Sequence, residues 1–270
     1  MRSRRSVLLL GMGLLFVLYF GPLMSALGGL LSLGRAGRTV QSYPARLREE
    51  LRGKGARYVP YAEIPWCARQ GIASVEDKRF FTNTGIDLIA IVRVIGMTFV
   101  NDHADHGGST ITQQLARIIV NEPRNEPSAL AEVLGMMKIL RYTLILNFDF
   151  AKPEIMELYL NSVYFGKHAQ GIAQAAEAYF SSDLEHLSLG QCLYLTGLPQ
   201  APSIFGRDPA GPGAMQRYRH VLSTMVRNHY LSGVTADELK RESLFDSSPG
   251  AEKSGTTSGV GRDEGLGDAH

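Results

Sequence analysis

Residues 107–120 read GGSTITQQLARIIV, a polar, glycine-led stretch that passes directly into an apolar run. A glycine pair lets the backbone approach a ligand closely, and Ser and Thr are favoured residues at the start of a helix. The stretch therefore predicts a helix over residues 108–120 with polar side chains grouped at its first turn. A second polar segment, SVEDKRFFTNTGID at residues 74–87, mixes acidic, basic, hydroxyl and amide groups in the same way. These two segments are the candidate functional loops.

The chain around these loops is dominated by apolar residues at three- and four-residue spacing, which is the helical period. The clearest helical segments are residues 86–100, 131–148, 152–166, 171–180 and 188–202. Pro153 suits a first helical turn, and Gly166 suits a stop after it. No pair of strands joined by a hairpin turn is indicated. The sequence therefore predicts an all-α domain.

An uncharged segment near the start of the chain runs from Val7 to Gly34 and follows the basic sequence MRSRRS. A membrane-spanning helix needs about 20 such residues, whereas the apolar core of a cleaved signal peptide has about 7–15. We therefore expect an uncleaved transmembrane signal-anchor over residues 7–30, after a cytoplasmic tail of residues 1–6. Arginines lie on both sides of this segment, so charge alone does not fix its orientation.

Two further segments flank the expected helical domain, which covers residues 58–243. Residues 31–57 are rich in arginine and are interpreted as a basic juxtamembrane linker, either solvated or in contact with anionic head groups. Residues 247–270 hold few large apolar side chains and are expected to be disordered. The formal net charge of +2 and the 44% of apolar residues indicate neither wholesale disorder nor a nucleic-acid-binding protein.

Cysteine and histidine positions decide whether the sequence predicts a disulfide or a metal site. The two cysteines, Cys67 and Cys192, form no CxxC pair and no ligand cluster. They can form a disulfide bond only if the domain is exported to an oxidising compartment. We favour two separate buried thiols. His103 and His106, with Asp102 and Asp105, could hold a divalent ion before the glycine pair, but short polar loops of this composition are more often simply mobile. No metal site is assigned.

Several motifs in order along the chain resemble one family. EDKRFFTNTG at residues 76–85 and GGSTITQQ at residues 107–114 are followed by KPEIMELYLNSVYFG, GIAQAAEAYF and LTGLPQAPS. With the stretch at residues 217–239, they resemble the family-51 glycosyltransferase domain of peptidoglycan synthases. Bifunctional penicillin-binding proteins share that domain with monofunctional peptidoglycan glycosyltransferases. The resemblance runs from about Tyr58 to Leu239, and no transpeptidase domain follows, so the monofunctional form is expected.

The resemblance implies a lysozyme-like helical fold and a specific reaction. A lipid-linked glycan is transferred to the 4-hydroxyl of lipid II with inversion at the anomeric carbon, and polyprenyl diphosphate is released. The implied partners are these lipid substrates and the cytoplasmic membrane, with other cell-wall synthesis proteins as further candidates and no nucleic acid. Because lipid II is consumed on the outer face of the cytoplasmic (inner) membrane, a single-pass protein with its catalytic domain on the outer, periplasmic side is expected.

The resemblance also implies roles for individual residues. Glu76 matches the family's general base, and the nearby Phe80 and Phe81 favour a raised proton affinity suited to that role. A departing diphosphate needs cationic partners, and Arg117 and Arg124 lie where the family has basic residues. The further substrate-binding candidates are Asp77, Lys78, Phe80, Ser109, Thr110, Gln113 and Gln114. If a divalent cation takes part, Mg²⁺ or Mn²⁺ on diphosphate oxygens and a carboxylate is expected, and no organic cofactor is expected.

Two positions depart from the family pattern. Asn83 stands where the family usually has histidine, which keeps hydrogen bonding but removes a proton switch near neutral pH. The family's second glutamate corresponds to Glu132 when counted forward from TITQQ, but to Ile139 when counted backward from YLN. Glu132 is therefore either a second catalytic carboxylate, after an insertion in its helix, or a first-turn glutamate favoured by the helix dipole.

Two other functions compete with glycan polymerisation. A lysozyme-like cleaving enzyme also uses an acid in a helical cleft, but it needs neither a diphosphate-binding loop nor a membrane anchor. A catalytically impaired scaffold of cell-wall synthesis has no physical need for a matched base together with the GGSTITQQ loop. Glycan polymerisation is therefore the favoured hypothesis.

Overall fold

The computed structural model of the protein describes residues 34–82, 109–121 and 129–245, with side chains described from residue 134 onward in the last range. In these ranges, no helix combines the length and the apolar character needed to span a membrane. The predicted signal-anchor with its cytoplasmic tail, the predicted helix at residues 86–100 and the C-terminal tail lie outside the described residues. So do Asn83, Arg124, and the loop with His103, Asp105 and His106.

The described residues are mostly helical, which confirms the predicted all-α character. A helical run at residues 34–41 precedes α1 (Tyr43–Gly53), α2 (Trp66–Glu76), α3 (Ile111–Val120), α4 (Ala129–Asp149), α5 (Lys152–Ser162), α6 (Ile172–Phe180), α7 (Leu189–Gly197), α8 (Pro202–Arg207), α9 (Pro212–Arg227) and α10 (Gly233–Leu239). Short 3-10 turns lie at Tyr61–Glu63, Leu184–His186 and Leu198–Gln200. The predicted helix starts at Thr110 and Pro153 are found at α3 and α5.

A small antiparallel hairpin corrects the prediction that no strands would be present. Strands β1 (Tyr164–Gly166) and β2 (Ala169–Gln170) pair with Gly166 opposite Ala169. The two residues between them, Lys167 and His168, both have positive φ, 48° and 60°. A tight two-residue hairpin turn of this kind requires positive φ at both residues, and Asn and Gly usually occupy these positions. The Lys–His sequence carries no such signal, so the hairpin was not predicted.

Two groups of helices meet in one hydrophobic core. In the first group, α2, α7 and α9 pack against one another, and in the second, α3 packs against α4 and α5. The largest fully buried side chains include Tyr159, Tyr194, Phe80 and Phe165. The same core therefore holds the C-terminal turn of α2 and the N-terminal turn of α3. The predicted functional segment at residues 74–87 begins in that turn of α2, and the segment at residues 107–120 continues into α3.

The folded part of the chain begins earlier than the predicted boundary at residue 58. Leu47 and Leu51 lie one turn apart on α1 and are buried in the core, as is Val40 before it. Arg46 and Arg48 remain exposed on the other faces of the helix. Residues 40–53 therefore form an amphipathic helical part of the domain rather than only a linker.

A disulfide bond joins Cys67 in α2 to Cys192 in α7, with their Cα atoms 6.2 Å apart. The prediction of two separate buried thiols is wrong, although both residues are buried as expected. The two cysteines are 125 residues apart in the sequence, and only the packing of α2 against α7 brings them together. Spacing along the chain gives no indication of such a pair.

Candidate active site

Glu76 is the last residue of α2, and its side chain is 14% exposed. Its Oε1 atom lies 3.0 Å from Nη2 of Arg217, and its Oε2 atom accepts a hydrogen bond of 3.0 Å from Nε2 of Gln114. Each carboxylate oxygen thus has its own donor. The sequence indicated an aromatic setting for this carboxylate, whereas the structure gives it a cation and an amide as partners. These two contacts fix the direction of the carboxylate from both sides.

Gln114 links Glu76 to the core of the domain. While its amide nitrogen donates to Glu76, its Oε1 atom accepts a hydrogen bond of 2.8 Å from the hydroxyl of Tyr159, a residue of α5. Tyr159 is fully buried, so it fixes the amide from a rigid position. The predicted site residue Gln114 is therefore brought to the predicted base Glu76, across 38 residues of sequence.

Arg217 in α9 is a site residue that sequence reasoning missed. Its Nε atom donates to the carbonyl of Gly197 at 3.0 Å, while its Nη2 atom contacts Glu76. Its side chain is 10% exposed, and burial lowers the pKa of Arg217, an effect that the nearby Glu76 opposes. A signal was present in the sequence, because Arg217 follows the helical spacing of the buried Ala214 and Val221. A charged residue on an apolar stripe needs a partner.

Asp77 has a different role from its neighbour Glu76. It follows α2, its side chain is buried, and its Oδ2 atom accepts a hydrogen bond of 3.3 Å from the backbone nitrogen of Ile111. Ile111 is the first residue of α3, so the carboxylate lies at the positive end of that helix. Asp77 thereby ties the end of α2 to the start of α3, and keeps Gln114 within reach of Glu76.

The start of α3 is fixed by a capping box formed by two predicted site residues. The backbone nitrogen of Gln113 donates to Oγ1 of Thr110 at 3.2 Å, and the backbone nitrogen of Thr110 donates to Oε1 of Gln113 at 3.0 Å. These contacts satisfy backbone donors that have no partner inside the helix. Ser109 is exposed just before this turn, and the partly buried Arg117 lies in the last turn of α3.

Phe80, a predicted site residue, contacts Lys152 near the candidate active site. Phe80 is fully buried, and its ring contacts Phe81 edge-on, with centroids 5.0 Å apart. The ammonium of Lys152 lies 4.9 Å from the centroid of the Phe80 ring. Burial lowers the pKa of Lys152, and the charge of Asp77 acts in the opposite direction. Phe80 therefore acts as a core anchor for the loop, and Lys152 is a half-buried cation close to Asp77.

A groove lies between the end of α2 and α9 and has a volume of about 480 Å³; residues on either side of Glu76 in the sequence line it, but Glu76 itself does not. Its lining residues are Ser74, Val75, Lys78, His220, Thr224, Arg227 and Asn228. Oγ of Ser74 and Nδ2 of Asn228 are buried there and have no hydrogen-bond partner among the described residues. The lining contains the cations Lys78 and Arg227 and no carboxylate. This groove places Lys78, a predicted substrate-binding residue, beside further hydrogen-bond donors.

The position of the second carboxylate stays a prediction. Glu132 lies in the first turns of α4, and its side chain is not among those described. Ile139, the result of the backward count, is buried in α4 and cannot act as an acid or base. Arg124 lies outside the described residues.

The described residues do not supply a protein-only metal site next to Glu76. Both oxygens of Glu76 have protein partners, and Asp77 accepts from a backbone nitrogen. Within the described ranges, the only cluster of three metal-binding side chains is the exposed set Asp183, Glu185 and His186.

Comparison with known proteins identifies this arrangement. The model of the Transglycosylase family matches residues 45–226, which include Glu76, Gln114 and Arg217. The chain belongs to the transglycosylase family. This confirms the resemblance to the family-51 peptidoglycan glycosyltransferase domain, and as a transglycosylase the chain is an enzyme of that class, acting on a peptidoglycan precursor.

Two relatives illustrate the range of the transglycosylase match. A protein of Cupriavidus necator described as a transglycosylase is 36% identical over 170 residues, which cover 63% of this chain and 70% of that protein. Penicillin-binding protein 1A of Escherichia coli is 33% identical over 182 residues, which cover 67% of this chain but 21% of that protein. The chain therefore spans about a fifth of the length of the Escherichia coli relative.

Proposed function

We propose that the chain polymerises glycan strands, transferring a lipid-linked glycan to the 4-hydroxyl of lipid II with release of polyprenyl diphosphate. The observation that carries this proposal is the carboxylate of Glu76. It is mostly buried and held by Arg217 and Gln114. A carboxylate that is fixed in direction suits the removal of a proton from an attacking hydroxyl.

The proposed reaction is a displacement at the anomeric carbon of the donor glycan. The 4-hydroxyl oxygen of lipid II forms a bond to this carbon as its proton passes to Glu76. The bond between the anomeric carbon and the diphosphate oxygen breaks, and the electron pair leaves with the diphosphate. Attack from the face opposite the leaving group inverts the configuration at this carbon.

The leaving diphosphate carries negative charge that needs cationic partners. We propose Arg117 and Arg124 for this task, as the family resemblance implies, with Glu132 as the second carboxylate on the donor side. Arg117 supports the proposal because α3, which carries it, also positions Gln114 against Glu76. Mg²⁺ or Mn²⁺ held by diphosphate oxygens remains part of the proposal, and no step above depends on it.

The groove between α2 and α9 is proposed to receive part of the lipid II acceptor. Lys78 and Arg227 favour a ligand rich in oxygen atoms, as does Nδ2 of Asn228, which has no hydrogen-bond partner among the described residues. Ser74 and Val75 of the lining belong to the same last turn of α2 as Glu76. Of the remaining predicted residues, the exposed Ser109 is proposed to contact the substrate, whereas Thr110 and Gln113 support the site by capping α3.

A membrane-bound, outer-face location is proposed for the domain. Helix α4 exposes several large apolar side chains, and Phe148 is 91% exposed. Exposed apolar surface of this kind suits contact with lipid, where the substrate is found. The disulfide between Cys67 and Cys192 supports export, since disulfides persist in oxidising compartments. The predicted signal-anchor at residues 7–30 would hold the domain there as a monofunctional, single-pass protein.

Polymerisation of labelled lipid II by the detergent-solubilised chain tests the proposal. Wild type is compared with Glu76→Gln, with Glu132→Gln and with the control Glu177→Gln, a change at an exposed position on α6. We expect glycan from wild type and from the control, and at least a hundredfold loss in Glu76→Gln, because removal of a general base costs about 10²–10⁴ in rate.

Each outcome of this assay has a meaning. Loss of product in Glu132→Gln as well would establish two carboxylates, whereas full activity there would leave a single base. If wild type binds lipid II but forms no glycan, the polymerase proposal fails and a scaffold is favoured. Release of short fragments from preformed glycan would instead favour a cleaving enzyme.

A further inference from the structure

Two parallel helices of the core hold the parts of the candidate active site, and contacts at two levels fix their register. At the first level, the disulfide joins Cys67 near the start of α2 to Cys192 in α7. At the second level, four residues further along both helices, Gly71 meets Thr196. A Cβ atom placed on Gly71 would lie 2.9 Å from both Oγ1 and Cγ2 of Thr196. Because the two contacts are four residues apart on each helix, α2 and α7 run in the same direction and keep one register over this turn.

The C-terminal ends of these two helices supply the groups that hold the base. α2 ends at Glu76, and α7 ends at Gly197, directly after Thr196. The carbonyl of Gly197 accepts from Nε of Arg217, and Nη2 of the same guanidinium contacts Glu76, each at 3.0 Å. Arg217 therefore bridges the two helix ends, and its two contacts can both be made only at one relative position of α2 and α7.

A small slip along the helix axes is enough to break this bridge. One residue of an α-helix rises about 1.5 Å, whereas N–H···O hydrogen bonds keep their heavy atoms within about 2.7–3.2 Å. A slip by even half a residue therefore exceeds the tolerance of one of the two Arg217 contacts. The stem of Arg217 can rotate, but the planar guanidinium keeps Nε and Nη2 at a fixed spacing, so the side chain cannot follow the two helix ends separately.

We infer that the Cys67–Cys192 disulfide is a positioning device for the general base. It holds α2 and α7 in the register at which Arg217 bridges Gly197 and Glu76. This inference rests on the proposed function for its effect on turnover. Its effect on the Arg217 bridge does not depend on that function. Cys67 and Cys192 are thus positioning residues, acting through Gly197 and Arg217 rather than on the substrate.

The bond itself forms by a balanced redox step. Two thiols become a disulfide, losing two protons and two electrons. A thiol–disulfide oxidoreductase of the export compartment accepts them as its own disulfide is reduced to a dithiol. Both cysteines are buried, Cys67 to 6% exposure and Cys192 to 1%, so attack by an added reductant on the folded protein is hindered. Variants therefore test the inference better than a reductant alone.

The kinetic test compares two changes in the detergent-solubilised full chain. The first, Cys67→Ala/Cys192→Ala, removes the bond. The second, Leu47→Ala, lowers stability by a core change in α1, away from the helix pair. We expect the double variant to lose about tenfold to a hundredfold in kcat on lipid II, with KM within about twofold, since misplacement of about 1 Å can cost a hundredfold. Leu47→Ala should lower Tm but keep the wild-type kcat.

A second readout does not need activity. The Nε–H of Arg217, bonded to the Gly197 carbonyl, should exchange slowly with solvent in ¹⁵N NMR spectra of the wild type and faster in the double variant. If the double variant does not fold, Gly71→Ala separates the same helices at the second contact while leaving the disulfide in place. It should produce the same loss of kcat and the same faster exchange.

The outcomes separate the inference from the proposed function. An unchanged kcat and unchanged Arg217 exchange in a folded double variant, or in Gly71→Ala, would overturn the inference and leave the polymerase proposal intact. A wild type that makes no glycan would end the polymerase proposal. Faster Arg217 exchange in the variants would even then support the positioning role of the disulfide.

Discussion

Removal of the Arg217 charge is expected to destabilise the folded protein by about 3–5 kcal/mol at neutral pH. Arg217→Met keeps an unbranched, uncharged stem and removes the guanidinium. The expected magnitude follows from burial, because Arg217 is 10% exposed and Glu76 is 14% exposed. The remaining carboxylate would keep the Gln114 hydrogen bond but lose its cation inside the protein. An exposed ion pair would instead be worth at most about 1 kcal/mol.

A double-mutant cycle isolates the contribution of the pair. It compares wild type, Arg217→Met, Glu76→Gln and the double variant by urea unfolding followed by circular dichroism. In the double variant neither charge is left without its partner, so the losses should not add. We expect a coupling of about 2–3 kcal/mol, the upper part of the range for contacting residues. It should persist in about 1 M salt, since buried pairs are weakly screened.

A control cycle on an exposed ion pair shows the small coupling energy that is expected when solvent screens both charges. Lys54 and Glu50 lie 2.6 Å apart on the surface, with both side chains about half exposed. Their coupling should be below about 1 kcal/mol and should fall with salt. If the Arg217–Glu76 cycle gave a similarly small, salt-sensitive coupling, the buried bridge described above would be wrong. The positioning role of the disulfide would then lose its mechanism.

Three further changes test other parts of the structure. Thr110→Ala should cost about 1 kcal/mol in urea unfolding, because the capping box at the start of α3 is lost. Gly171→Ala should cost about 1–3 kcal/mol in the same assay, since φ is +82° there and the new Cβ would lie 2.6 Å from the Asn161 carbonyl oxygen. Burial lowers the pKa of Lys152, so the unfolded chain binds that proton more tightly than the folded protein does. The free energy of unfolding should therefore rise with pH between the lowered pKa of the folded protein and the ordinary value of 10.5. Lys152→Met should flatten this rise in alkaline urea unfolding.

Local patterns in the sequence predict the local features well. The spacing of apolar residues indicates the helices, and the Ser/Thr start of GGSTITQQ indicates the beginning of α3, where Thr110 forms the cap. Glu76 and Gln114 are both candidate site residues through the motifs EDKRFFTNTG and GGSTITQQ, and the structure joins them by a hydrogen bond. These features depend on residues within a few turns of each other or on motifs recognised as units.

Features that depend on distant pairing could not be predicted in this way. Arg217 meets Glu76 across 141 residues, and the disulfide closes across 125. Each pair requires the packing of α2 against α7 and α9, which no local period reveals. The β1–β2 hairpin could not be predicted for a different reason. Its turn uses Lys167 and His168 at positive φ, where residue preference favours Asn and Gly.

The structure also divides motifs that the sequence presents as units. In the Glu–Asp pair, α2 ends between the two residues, so Glu76 contacts Arg217 and Gln114 while Asp77 turns to the first nitrogen of α3. In GGSTITQQ, Thr110 and Gln113 cap the helix, whereas Gln114 contacts the base. Asp77, Thr110 and Gln113 therefore build the framework that holds Gln114 against Glu76. Substitution of one of these framework residues should act through stability and geometry, whereas substitution of Glu76 should remove the base and also leave the buried Arg217 without its carboxylate partner.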